Sequence, residues 1–194
     1  PLYSSAASDV YKRQEHYLSA LEDLPRDPWV QLRRGILEEQ QGEQEQALFH
    51  YKIASEAYPD SFRILFRRSI VNMNLLQEEE SIRIHQKMIE LRPEHALSLN
   101  NLAWMYLTAK DRSLRQPEKA LELALKSVEL EATIDHIDTL AEAYFLTGQT
   151  AKAIETLRKG IREASYPKSR ERYLEGQYRR FRKGDTSVSP PPVS

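Results

Sequence analysis

Residues 32–36, Leu-Arg-Arg-Gly-Ile, return at 66–70 as Phe-Arg-Arg-Ser-Ile, 34 positions further on. The same interval separates Pro25 from Pro59, Pro59 from Pro93, Tyr17 from Tyr51 and Ala20 from Ala54. Unrelated features sharing one interval mark a repeated unit, and a period in this range belongs to stacked helical hairpins. Within each period, apolar residues recur at three- and four-residue steps in two stretches, which is the spacing of one helix face. Gly42 and Gly148 lie between such stretches, where a residue with positive φ ends a helix without strain. Each period then closes near a proline, which cannot continue a helix and turns its predecessor out of the α region. The pattern predicts an all-α solenoid of stacked antiparallel helix pairs.

Composition narrows the function. The 194 residues carry 28 basic and 29 acidic side chains, a net charge of −1, and the mean hydropathy is −0.64. A chain this evenly charged lacks the basic excess of a nucleic-acid binder, so no nucleic acid is expected as a partner. No run approaches the ~18 apolar residues of a membrane span, so no membrane insertion is expected. The absence of cysteine removes disulfides, thiolate zinc sites and cysteine nucleophiles, and leaves the redox compartment open.

The repeat resembles the tetratricopeptide repeat, and the resemblance implies a right-handed superhelical course for the solenoid. The family's first-helix pattern, Trp-x2-Leu-Gly-x2-Tyr, is met loosely by Leu99, Leu102, Ala103 and Tyr106, and again by Ile137, Leu140, Ala141 and Tyr144. Its second-helix pattern is met by Ala47, Tyr51, Ala54 and Pro59, and by Ala153, Leu157 and Gly160. Gly35, Ser69, Ala103 and Ala141 occupy the position where the two helices of a pair approach most closely, and a bulky side chain there would force the pair open. Four units are expected, at 28–61, 62–95, 96–133 and 134–167. Two departures stand out. Arg34 and Arg68 replace a large apolar residue, with Glu38 and Asn72 at the aromatic position. The third unit also carries a longer loop, Ala109–Gln116, before Pro117 opens its second helix.

Outside these units, residues 1–14 show no helical stripe and are expected to be a flank foreign to the fold. Residues 15–27 match the second helix of a preceding unit, so the chain is read as a segment of a longer array. Residues 168–183, with Leu174, Tyr178 and Phe181 at four- and three-residue steps, are expected to form a capping helix, and the Pro-rich 184–194 a disordered tail.

Nothing in the sequence has the pattern of a catalytic, metal or cofactor site. No two of the five histidines stand three or four residues apart, no glycine-rich phosphate loop occurs, and no serine sits in a nucleophile elbow. The expected function is a non-catalytic scaffold for protein–protein interaction. In proteins of the resembled family, partners bind in extended form in the concave groove lined by the first helices of each pair. Carried over position by position, the resemblance places Arg33 in the groove from the first unit and Arg63, Phe66 and Arg67 from the second. Asn100, Asn101 and Trp104 come from the third, and Asp138 and Glu142 from the fourth. Such a groove would be basic at one end, amide-lined in the middle and acidic at the other, and would take a protein or extended peptide. Packing against the next first helix is the other reading of Trp104, and solvated or Glu-paired arginines the other reading of the basic end. The family's clamp for chaperone tails is not expected, because Leu32 and Ile36 stand where it needs Lys and Asn. Two alternatives remain: a regulatory or substrate-recruiting portion of a larger enzyme or membrane-associated complex, and self-association through the N-terminal edge.

Overall fold

The computed structural model of the chain describes residues 12, 16, 19 and 27–187. The expected half-hairpin at 15–27 and the flank 1–14 lie almost wholly outside the described residues. The described residues hold nine α-helices and divide at residues 91 and 92 into two compact units.

The first unit holds α1 (Pro28–Gln40), α2 (Gln44–Ala57), α3 (Phe62–Asn74) and α4 (Glu78–Leu91). Asp27 starts α1 by accepting the backbone N–H groups of Trp29 and Val30, both at 2.9 Å, while Pro28 takes the first-turn position that has no donor to satisfy. Three glutamates in the first turn of α4 oppose the positive end of its dipole. The pair α1–α2 closes around Gly35. A Cβ there would lie 2.6 Å from the Tyr51 ring and 3.2 Å from the Ala47 carbonyl, so only glycine permits the approach. Leu32, Ala47, Leu48, Tyr51, Ala54, Ile64 and Val71 form the core, and Leu65, Ile84 and Met88 a second cluster with Phe62 and Phe66 against it.

The replacements at Arg34 and Arg68 have a physical reason here. Arg34 donates to Glu38 at 2.6 Å, and Glu38 lies 3.6 Å from Nε2 of His50, whose Nδ1 contacts Gln31 at 2.5 Å. Arg68 likewise spans to Glu80 at 2.8 Å and Ser55 at 3.0 Å, while Asn72 donates to the Arg68 carbonyl. A paired polar seam therefore replaces the aromatic contact between the two helices of each pair.

The second unit holds α5 (Ala96–Thr108), α6 (Pro117–Leu130), α7 (Ile134–Leu146), α8 (Thr150–Glu163) and α9 (Glu171–Lys183), with short 3-10 turns at Arg112–Leu114 and Lys168–Arg170. His95 and Thr133 accept backbone N–H groups at the starts of α5 and α7, which gives His95 a structural task. The long loop between α5 and α6 is pinned: Gln116 N–H donates to the Tyr106 carbonyl at 3.0 Å, and Arg115 to that of Ala109 at 2.7 Å. Ala103 and Ala141, at the same repeat position as Gly35, are fully buried. Ile134, Ala141, Phe145, Ala153 and Leu157 of α7 and α8 share one core with Leu174 and Phe181 of α9.

Candidate functional site

On the first unit, Leu32 and Leu37 turn inward while Arg33 points to solvent on α1. On α3, Ile64 and Leu65 fill the core, which leaves Arg63 exposed and Phe66 and Arg67 half-buried. The four residues do not share one fate. Arg67 donates to both oxygens of Glu39, at 3.2 and 3.3 Å, and Glu39 also accepts the Tyr51 hydroxyl at 2.5 Å. Burial, with Glu39 beside it, holds the Tyr51 phenol well above the usual tyrosine range. Arg67 is thus spent on joining α1 to α3, in agreement with the Glu-paired reading. Phe66 packs on the Leu65–Ile84–Met88 cluster. Arg33 and Arg63 are in no ion pair among the described residues.

On the second unit, Asn101 and Trp104 of α5 are half-buried, whereas Asn100 is buried. Asp138 and Glu142 correct the sequence expectation: they do not line an open groove but are 3% and 0% exposed. The cause is α9, which lies over α7. Tyr173 donates to Asp138 at 2.9 Å, Gln177 donates to the Tyr173 hydroxyl at 2.7 Å, and Arg180 Nε donates to Gln177 at 2.8 Å. One terminal nitrogen of Arg180 then reaches Glu142. Its guanidinium also covers the rings of Phe145 and Phe181, which are themselves 4.7 Å apart. At the near end, Arg170 pairs with Asp135 at 2.6 Å. The other terminal nitrogen of Arg180 holds the carbonyls of Asp185, at 3.2 Å, and Ser187, at 2.5 Å. Residues 184–187, expected to be loose with the rest of the tail, are therefore tied down.

Burial raises both carboxyls, Asp138 to about 6 and Glu142 to about 7, against the opposing pull of Tyr173 on the first and Arg180 on the second. The repeat pattern does not mark Tyr173, Gln177, Arg170 or Arg180 as functional positions. The available signal is Gln177 and Arg180 standing three residues apart on the inward side of an otherwise apolar stripe, where polar residues need partners. Among the described residues no group of histidines and carboxylates is placed to hold a metal ion, and no helix is long and apolar enough to cross a membrane.

The tetratricopeptide repeat family model matches residues 29–61 and 139–169. A comparison with curated protein sequences finds no match. Several solved structures are similar. MamA residues 41 to end, from Desulfovibrio magneticus RS-1, aligns with a TM-score of 0.69 at 18% identity, covering 83% of this chain and 92% of that one. YrrB, described as a TPR protein with an unusual peptide-binding site, aligns with a TM-score of 0.65 at 17% identity over 87% and 84% of the two chains. TTC0263, a thermophilic TPR protein of Thermus thermophilus, aligns with a TM-score of 0.59 at 16% identity over 94% and 95%. At these identities the likeness is one of fold.

Proposed function

We propose that this chain, which carries tetratricopeptide repeats, is a non-catalytic interaction scaffold that binds an acidic protein or peptide segment along the first-helix faces of its N-terminal unit. The observation that carries this reading is the pair Arg33 and Arg63, two exposed guanidinium groups that engage no carboxylate among the described residues. Each offers a planar fork of donors suited to a carboxylate, and half-buried Phe66, three residues after Arg63 on the same helix, adds apolar area. The peptide-binding site named for YrrB supports a peptide as the kind of partner for this fold. On the second unit, Asn101 and Trp104 are the half-buried first-helix positions left for contact with a partner backbone.

Arg67 is not part of the recognition set, because Glu39 holds it. The test is an array of extended peptides of graded charge probed with the full chain and with its Arg33→Glu/Arg63→Glu variant. Acidic peptides are expected to bind the unaltered chain and to lose at least tenfold in affinity on the variant, with helical circular dichroism unchanged. Equal binding to both chains would refute the polarity.

A further inference from the structure

We propose that the acidic segment bound by the first unit is anchored by one aromatic side chain, which packs on the exposed pair Trp29 and Tyr58, about three residues from the carboxylate held by Arg63. This anchor rests on the binding of an acidic segment at Arg33 and Arg63, and adds an apolar element to its recognition.

Trp29 is 55% exposed and Tyr58 43%, and their rings lie 5.7 Å apart at a tilt of 42°. A single apolar side chain at the surface is ordinary, whereas two aromatic rings gathered side by side present one apolar platform. The fold does not ask for these side chains. The start of α1 uses only the backbone N–H of Trp29, which Asp27 accepts, and the end of α2 uses the Tyr58 N–H, which donates to the Ala54 carbonyl. At the equivalent places 34 residues further on, the chain carries Arg63 and Arg92, so a helix pair closes without an aromatic residue at either position. What the two rings serve therefore lies outside the helix pair.

The platform stands beside the two exposed guanidinium groups. Trp29 and Arg33 are four residues apart on α1, which puts them on one face a turn apart. Tyr58 leads into the turn to α3, its carbonyl accepting the Ser61 N–H at 3.1 Å, and Arg63 stands in the first turn of α3. The bond from Arg67 to Glu39 shows that this face of α3 lies alongside that of α1. The acids of the flanking loops are engaged, Asp27 in the cap of α1 and Asp60 with Lys87 at 2.7 Å. Two exposed rings beside two cations thus fit a partner that is apolar at one point and negative next to it. Neighbouring helices lie roughly 8–10 Å apart, and an extended chain advances about 3.3 Å per residue. A segment crossing from α1 to α3 therefore sets its aromatic and acidic residues about three positions apart. Tryptophan, tyrosine and arginine are also the residue types enriched among those that dominate binding energy.

The experiment titrates the full chain with fluorescein-labelled extended peptides, read by anisotropy. One peptide carries phenylalanine three residues from a pair of glutamates, in either order. A second replaces the phenylalanine with alanine, and a third replaces the glutamates with glutamine. The first is expected to bind the unaltered chain at least tenfold more tightly than either of the others. On the Trp29→Ala/Tyr58→Ala chain the phenylalanine and alanine peptides are expected to bind equally, while Trp29→Phe keeps the preference. Equal binding of these two peptides to the unaltered chain overturns the aromatic anchor and leaves the acidic segment standing. A glutamine peptide as tight as the first refutes the acidic segment, and the paired motif with it. Binding by none of the peptides overturns both. Should the double variant lose its helical circular dichroism, tryptophan emission decides instead, as the difference between the unaltered chain and Trp29→Phe. The phenylalanine peptide is expected to move the Trp29 emission to shorter wavelength and the alanine peptide to leave it in place; no movement with either refutes the anchor. A concentration-dependent dimer that Trp29→Ala abolishes would assign the platform to a second copy and overturn the heterologous partner.

Discussion

Leu76 stands 34 residues after Gly42 and turns through the same left-handed backbone region, with φ 56° against 84°. Glycine enters that region freely, whereas a side chain brings Cβ toward the following carbonyl. Leu76 is also 60% exposed, so it recovers little by burial. Replacing Leu76 with glycine is therefore expected to stabilise the first unit by about 1 kcal/mol, measured by urea unfolding of the full chain. A loss of stability would mean that the Leu76 side chain contributes more than its backbone strain costs. The position is legible in the amino-acid sequence, since the period of 34 sets Leu76 at the place of Gly42. The pairings of Arg34 and Arg68 are not. A repeat pattern marks a departure from its own consensus, but Glu38, Gln31 and His50 answer Arg34 only through the geometry of the closed pair. Asp138 and Glu142 show the same limit, because helical periodicity assigns their face while the helix that covers it comes from elsewhere in the chain.

At the scale of the element, small residues decide whether two helices close. Ala141 is fully buried in the core shared by α7, α8 and α9, and Ala103 is equally buried in α5. Adding methylene groups to a filled core forces side chains off their rotamers and shifts backbone, at roughly 1–3 kcal/mol. Ala141→Leu and Ala103→Leu are each expected to destabilise the second unit by that amount, with no change in the first, by hydrogen exchange of each helix. Neutral outcomes at both positions would contradict the packing of these pairs. The same reasoning explains why α9 is only half legible. Leu174 and Phe181 announce a packed face, but Tyr178 is half-buried and Gln177 and Arg180 are buried in its place. Polar side chains on a terminal helix are ordinarily solvated, and these are not because α7 offers them carboxylates.

For the molecule as a whole, the near-neutral charge conceals an uneven response to protons. Glu142 moves from 4.5 to about 7 on folding, and Asp138 from 3.8 to about 6, mainly because burial disfavours their charged forms. Between the unfolded and folded values the native state binds more protons than the unfolded chain, so this contribution to stability is present at low pH and lost as pH rises. His50 and His95 act in the opposite sense: burial lowers both below the usual histidine value, so their contribution is lost as pH falls. The groups facing the α7 carboxyls are Arg170, Tyr173 and Arg180 from α9 and the turn before it, and Asp135 from α7 itself. The clean measurement is the difference between the unaltered chain and Glu142→Gln, in which the histidine contributions cancel. Across pH 5 to 7 the unaltered chain is expected to lose stability relative to the variant by up to about 1.4 kcal/mol per pH unit, the limit set by one proton. Parallel curves for the two chains would show that Glu142 keeps the same charge folded and unfolded. Its burial under Arg180 would then carry no pH dependence, and the proton balance of the seam would rest on Asp138.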